Sequence, residues 1–265
     1  MLLLITGHQR SGTTLLSQLC NMHPQMSMTN EFGNFLCLGQ AYSIYIRRLL
    51  LRWGGISIRG WPLATSFAGR GPRQMVIRKN NLFVWQYLKR MSAKRGQVVT
   101  ARVIEEVLRE VLPPATVVGD KYPEYVYDLD ALAADDNLSC LVIYRDCRDV
   151  TSSTLLKARN EWRRMPLFVR RLNTVEKIAH RWVRAIELME KHRDRLFIVR
   201  YEDLVREVKQ PVEELARWLD IDPKGFQVDR ISDRSIGKHR RDLTAEELVT
   251  VTRIAGPTMS RLGYV

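Results

Sequence analysis

The stretch Leu2-Leu3-Leu4-Ile5-Thr6-Gly7-His8-Gln9-Arg10-Ser11-Gly12-Thr13-Thr14-Leu15-Leu16 decides the fold class. Leu2–Thr6 is a short apolar run that stops at glycine, the pattern of a strand buried on both faces. Gly7–Gly12 reads as a loop. From Thr13 to about Met22 the apolar residues Leu15, Leu16 and Leu19 recur at helical spacing, and His23-Pro24 stops the helix. A buried strand, a glycine-bounded loop and a helix form the opening unit of a parallel sheet.

The same alternation runs along the chain. Strands are expected at Thr116–Gly119, Ser139–Tyr144 and Leu196–Arg200. Helices are expected at Thr100–Leu112, Glu124–Ala134, Asp149–Arg159, Thr174–His192, Gln210–Leu219 and Thr244–Leu262. Strands alternating with helices imply an α/β fold whose parallel sheet is covered on both faces. Residues 35–96 fit this scheme least. Ala41–Arg52 and Leu82–Arg95 read as amphipathic helices, but Gly54-Gly55, Gly60, Gly69 and Gly71 interrupt the block. It is taken as a largely helical elaboration within a single domain spanning residues 1–265.

Composition excludes several classes. With 45% hydrophobic residues and six Trp, nine Tyr and seven Phe, the chain is too apolar to be mainly disordered. Cys20, Cys37, Cys140 and Cys147 form no CxxC pair, so neither a zinc knuckle nor a disulfide scaffold is suggested. Met1–Ile5 is too short for a signal peptide or a membrane span, and the cytoplasm is the default location.

The net charge of +13 is unevenly placed. Between Phe32 and Ile104 there are 13 Lys and Arg and no Asp or Glu, so this stretch accounts for the whole excess. Such a block points to nucleic acid, an anionic membrane surface, or an anionic ligand or acceptor. A solvated basic face is the plain alternative.

Gly7-His8-Gln9-Arg10-Ser11-Gly12-Thr13-Thr14 has the spacing of a P-loop, GxxxxGK[ST], with Thr13 in place of the lysine. Its backbone N–H groups and the following helix N-terminus can cradle an anion. Without the lysine that reaches β- and γ-phosphates, a triphosphate is disfavoured. A second anion site is expected where Leu141–Tyr144 delivers Arg145 to the carboxyl end of a strand, with Ser153 and Lys157 on the next helix. A Walker-B strand would end in Asp to hold Mg²⁺, whereas this one ends in Arg, so no metal is expected. Alone, Arg145–Asp149 would read as a surface ion-pair cluster.

At this point the sequence resembles the PAPS-dependent sulfotransferases, in particular their bacterial and tyrosylprotein-sulfotransferase-like members. Thr6-Gly-His-Gln-Arg-Ser-Gly-Thr-Thr-Leu-Leu16 looks like the family's 5′-phosphosulfate loop, and Tyr144-Arg-Asp-Cys-Arg-Asp-Val-Thr-Ser-Ser153 like its 3′-phosphate motif. Gly119-Asp-Lys-Tyr-Pro123, Val199-Arg-Tyr-Glu-Asp-Leu204 and Arg234-Ser-Ile-Gly-Lys238 through Tyr264 resemble three further segments. The matches span residues 2–31 and 116–264, leaving block 35–96 outside. The resemblance implies a P-loop-like three-layer α/β/α fold with about five parallel strands. It implies transfer of a sulfuryl group from PAPS, leaving PAP, to an acceptor hydroxyl or amine. Arg10, Ser11, Gly12, Thr13 and Thr14 would bind the 5′-phosphosulfate. Arg145, Ser153 and Lys157 would bind the 3′-phosphate. Tyr201 would contact adenine, and Lys238 would lie in the segment that closes over the cofactor.

In-line transfer needs a base for the acceptor proton. Glu31 lies 21 residues after Arg10, the spacing seen in related members, and is the last acid before the acid-free block. It is taken as the base, following the first helix; a surface glutamate at a helix end is the alternative. Lys121 would neutralise charge on the departing oxygen, and Ser235 could add a hydrogen bond there. His8, inside the loop, and His23, before Pro24, rank behind Glu31. His8 also replaces the small residue usual in the family. The acceptor is expected to meet the basic block, where Tyr42, Tyr45, Trp53, Trp61, Trp85 and Tyr87 interleave with cations. An acidic peptide, a glycan or a phospholipid-like headgroup fits that composition, and peripheral membrane contact stays open. A P-loop kinase and a nucleic-acid-binding protein are the rival readings; the first lacks its lysine and acid, and the second leaves the paired motifs without a role.

Overall fold

The structure, a computed structural model, describes residues 1–57, 80–160, 162, 166–229 and 231–265. Five strands form one sheet: β1 (Leu2–Thr6), β2 (Met26–Asn30), β3 (Val117–Lys121), β4 (Ser139–Tyr144) and β5 (Leu196–Arg200). The order is β2-β3-β1-β4-β5 and every pairing is parallel. The helices follow in chain order as α1 (Thr13–Met22), α2 (Tyr42–Ser57), α3 (Asn80–Ser92), α4 (Ala101–Val111), α5 (Leu129–Leu132) and α6 (Cys147–Arg159). Then come α7 (Pro166–Val169), α8 (Val175–Lys191), α9 (Tyr201–Arg206), α10 (Lys209–Leu219), α11 (His239–Asp242) and α12 (Ala245–Arg261).

Alternation along the central strand builds the three layers. Leu3 and Ile5 of β1 pack with Leu16 and Leu19 of α1 and with Leu215 and Leu219 of α10. Leu2 and Leu4 point the other way, into a cluster with Ile104 and Leu108 of α4 and Tyr45 and Tyr87 of α2 and α3. Beside that cluster, Val142 of β4 packs with Trp182 and Ile186 of α8 and Val251 and Met259 of α12. The sheet is thus sandwiched, as its near-continuous apolar strands require. Among the described residues no helix is long and apolar enough to cross a membrane.

Three local expectations change. A strand, β2, intervenes between α1 and Glu31, so Glu31 follows a strand and not the first helix. Expected to end at Gly119, β3 runs on through Asp120 to Lys121, which places both at its carboxyl end. In place of one helix over 124–134 there is a 3₁₀ turn at Pro123–Asp128 and the short α5. Asp128, the last residue of the turn and the N-cap of α5, has φ −109° and ψ 13°, outside α-helical geometry. In the basic block both expected helices form, with a fourth change: α2 runs on through Gly54-Gly55 to Ser57, where an interruption is expected, and α3 stops at Ser92 instead of Arg95. Trp61, Gly60, Gly69 and Gly71 lie outside the described residues.

Candidate active site

Every strand delivers a candidate residue at its carboxyl end, where ligands bind in open parallel sheets. The Gly7–Gly12 loop leaves β1. It crosses β4 so closely that a Cβ on Gly7 would stand 2.1 Å from the Ile143 carbonyl oxygen. Gly12 caps α1 in a left-handed conformation, φ 104°, and a Cβ there would meet the Tyr201 ring at 2.5 Å. Both positions demand glycine for space and for backbone angle. Thr13 is buried as the first residue of α1, while Thr14 is exposed. The Ser11 hydroxyl is buried without a hydrogen-bond partner.

Two of the three non-glycine residues with positive φ among those described are site candidates: Arg10 at 70° and Glu31 at 57°. Such conformations cost of order 1 kcal/mol each and persist where surrounding contacts enforce them. For Arg10 one enforcing contact is visible: its Nε donates to Ser153 Oγ at 2.9 Å. The loop after β1 and the helix after β4 are thereby tied together.

Arg145 is the hub of the second motif. It is buried at the end of β4, with its guanidinium 4.5 Å above the Tyr201 ring. It donates to the Arg10 carbonyl at 3.4 Å and to the Ser235 carbonyl, and pairs with Asp149 at 3.2 Å. Trp182 Nε1 donates to the Arg145 carbonyl at 2.9 Å. Arg145 Nε is buried with no hydrogen-bond partner. The Arg145–Asp149 pair therefore forms, but as an enclosed pair and not a surface cluster. Ser153 and Lys157, both half-buried, follow on α6. Asp146 caps that helix by accepting from the Arg148 amide at 2.8 Å.

Asp149 does work that sequence reasoning missed. Its carboxylate accepts from the amides of Gly237 and His239 at 2.8 and 3.0 Å and from His239 Nδ1 at 2.8 Å. Burial pushes its carboxyl up. The His239 amide and ring, the Arg145 charge and the Gly237 amide outweigh that, leaving it below the ordinary value. One carboxylate thus fastens the 235–239 segment onto the Arg145–Ser153 motif. Ser235 contributes its carbonyl to Arg145, and Lys238 is exposed beside it.

Glu31 and Lys121 meet across the β2–β3 edge. Lys121 Nζ donates to Glu31 Oε1 at 2.8 Å, and the Glu31 amide donates to the Lys121 carbonyl. The turn beyond Glu31 is organised by the neighbouring Asp120, a second residue sequence reasoning passed over. Its fully buried carboxylate accepts from Thr29 Oγ1 (2.6 Å), Tyr125 Oη (2.6 Å) and the amides of Phe32, Gly33 and Asn34 (3.2, 2.8 and 3.4 Å). Phe32 then packs edge-on against Phe83 and Tyr87 of α3, at 5.3 and 4.8 Å. The base candidate is thus linked directly to the basic block.

The histidines have structural surroundings. His8 is buried with Nδ1 2.7 Å from the Gln9 carbonyl, and burial pushes its pKa down to about 4, so the ring is neutral. His23 packs at a tilt against Phe226, with ring centres 4.6 Å apart and Nε2 2.7 Å from the Asp222 carbonyl. Beside His8, the Gln9 amide donates to Glu124, which also pairs with Arg181 at 3.0 Å. Burial raises the Glu124 carboxyl, and Arg181 opposes that. A signal for Asp120 and Asp149 did exist: each acid adjoins or follows by one helical turn a cation already singled out.

Similar architecture occurs in solved structures. The sulfotransferase domain from the curacin biosynthetic pathway aligns with a TM-score of 0.64 and 18% identity, covering 99% of this chain and 97% of that one. The sulfotransferase domain from the Synechococcus PCC 7002 olefin synthase aligns with a TM-score of 0.56 and 16% identity, covering 97% and 94%. Sulfotransferase STF9 from Mycobacterium avium gives 0.53 and 15%, covering 99% and 77%. At these identities the likeness is one of fold. Among curated proteins no match is found. A family model supplies the sequence evidence, matching residues 68–224, more than half of the chain. The matched segment holds Lys121, Arg145, Ser153, Lys157 and Tyr201. It begins inside the basic block, so residues 68–96 are not outside the resemblance as the motifs alone suggest. With the strand order, the loop after β1 and the Arg145 hub in place, that match makes the chain a member of the sulfotransferase family.

Proposed function

We propose that the protein, acting as a single 265-residue domain, moves a sulfuryl group from PAPS to an acceptor hydroxyl or amine. The carrying observation is the union of two anion motifs by Arg10, whose guanidinium reaches Ser153 while its carbonyl accepts from Arg145. Unpartnered buried Ser11 Oγ and Arg145 Nε, in a loop whose two glycines let it lie close against β4 and the Tyr201 ring, fit a phosphorylated ligand. Bound PAPS supplies the activated sulfuryl group and a nucleotide leaving group.

The chain's own groups divide the remaining work. Residues 10–14 hold the 5′ end through backbone N–H groups, the α1 N-terminus and the Arg10 and Ser11 side chains. Arg145, Ser153 and Lys157 hold the 3′-phosphate; Tyr201, already stacked under Arg145, offers its ring to adenine. Lys238 and the 235–239 segment cover the site. Glu31 accepts the acceptor proton, and Lys121 keeps that carboxylate oriented and places positive charge where negative charge develops. Ser235 is assigned a hydrogen bond on the same departing charge. Acceptor recognition belongs to the basic block, anchored through Phe32. No metal is assigned a role. A cytoplasmic location is part of this reading, supported by four free, buried cysteines.

The test is thermal stability with nucleotides. PAP or PAPS without Mg²⁺ raises the melting temperature, and ATP with Mg²⁺ leaves it unchanged. Metal-dependent stabilisation by ATP with no response to PAP would overturn the reading in favour of a kinase.

A further inference from the structure

Among the described residues nine large apolar side chains are exposed. Five of them, Ile44, Leu50, Leu51, Trp85 and Val98, fall in the acid-free stretch between Phe32 and Ile104. Their arrangement follows from the periodicity of α2. Tyr45 and Leu49 turn inward, and the Tyr45 hydroxyl meets that of Tyr87 on α3 at 2.6 Å. At about 100° per residue the opposite face gathers Ile44, Arg47, Arg48 and Leu51, with Leu50 at its flank. Leu51 is 66% exposed and Leu50 49%. An open groove of about 420 Å³ runs beside them, lined by Tyr42, Ser43, Ile46, Arg47, Leu50 and Leu51. Val98 bridges to Ala41 at the start of α2, so it lies at the edge of the same surface. On α3, Trp85 is 58% exposed with the Lys89 ammonium 5.2 Å from its ring.

We propose that the exposed face of α2 docks the protein on an anionic phospholipid bilayer, with Leu50 and Leu51 entering the acyl boundary and Arg47 and Arg48 at the headgroups. Aliphatic tips interleaved with arginines, whose long stems let the guanidinium groups reach up to the headgroups, match the chemistry of helices that lie in a membrane interface. No acid stands in the sequence from Phe32 to Ile104, and the acids of α4 that reach the block, Glu106 and Glu110, are paired with Lys94 and Arg90 at 2.6 and 3.1 Å, so α2 carries no acid of its own to repel lipid phosphates. A second copy fits poorly: a symmetric pairing would set Arg47 and Arg48 against their own counterparts. An acidic peptide would satisfy the cations but leave the leucines in water. This inference is independent of the nucleotide reading, since none of its residues touches that site.

The experiment is co-sedimentation of the full chain with vesicles of phosphatidylcholine alone and of equimolar phosphatidylcholine and phosphatidylglycerol. Wild type is expected to pellet with the anionic vesicles only. The double variant Leu50→Asp, Leu51→Asp should lose binding by about tenfold or more, the loss expected from failing to bury even one leucine. Its melting temperature and its response to PAP should stay at wild-type values. Four results would each overturn the proposal: no pelleting with anionic vesicles, unchanged pelleting of the double variant, a solution oligomer that the variant dissolves, or equal binding of polyglutamate that the variant abolishes.

Discussion

The Lys121 ammonium stands 2.8 Å from a Glu31 carboxylate oxygen, yet the two side chains meet solvent unequally, 1% exposed against 29%. The lysine is enclosed; the glutamate keeps an open side. That asymmetry suits a base that must reach an incoming acceptor while a fixed cation holds its orientation.

Replacing Glu31 by Gln is expected to abolish transfer by about a hundredfold or more, the usual contribution of a general base. PAP affinity should stay within about twofold, since the proposed nucleotide contacts lie elsewhere. Leaving Lys121 enclosed beside a neutral amide should cost about 2 kcal/mol of stability. Labelled-PAPS transfer, PAP titration calorimetry and denaturant melts read the three effects separately. Full turnover in the variant would move the base to another residue.

At Gly12 the expected effect is on fold and binding together. Gly12→Ala forces a Cβ to within 2.5 Å of the Tyr201 ring at φ 104°. A loss of more than about 1 kcal/mol is expected, because alanine adopts that backbone poorly and the ring must move. The ring also supports Arg145, so PAP affinity should fall in the same variant.

Asp149→Asn tests the fastening of the 235–239 segment. Hydrogen exchange at the Gly237 and His239 amides should accelerate, and PAP affinity should drop, with the sheet amides unchanged. Acid should mimic the substitution. The Asp149 carboxyl is held below its ordinary value of 3.8, so its stabilisation is complete above that value and is lost as pH falls below it through the folded pKa.

His8 gives the opposite kind of group, a base kept neutral. Its folded pKa is pushed from 6.5 to about 4 by burial. Between those values the unfolded chain binds a proton that the folded chain refuses, so stability falls as pH drops from 6.5 towards 4. The full effect is about 3 kcal/mol, from 1.36 kcal/mol per unit. Melts of His8→Gln across this range should be flatter than those of wild type.

The parts of the fold most legible from sequence were those written in long apolar runs. β1 and β4 are continuous apolar segments whose bounds the sequence predicts to the residue. β2 was not, because Met-Ser-Met-Thr-Asn offers only two apolar side chains and no strong β-former beyond one threonine. Its existence depends on pairing with β3, a tertiary fact. Lys121 was singled out, but its strand was expected to stop at Gly119, since Asp and Lys rarely sit inside a buried strand. They do so here because Asp120 collects five donors and Lys121 finds Glu31. Their motifs assign Arg10 and Arg145 to two separate phosphates. That they also touch each other is invisible in sequence, as is the role of Asp149, whose partners lie about ninety residues away.

The Arg145 hub carries a consequence for how the molecule comes into being. Arg145 contacts residues 135 positions back and 90 positions ahead, and Arg10 reaches Ser153 across 143. Contacts of such span form late, after the entropy of closing large loops has been met. A chain with its sheet assembled but residues near 235 still undocked would have a recognisable fold and an incomplete version of the proposed nucleotide site. Acquisition of PAP binding during refolding should therefore lag behind secondary structure, which makes the ligand a clock for the final step of folding.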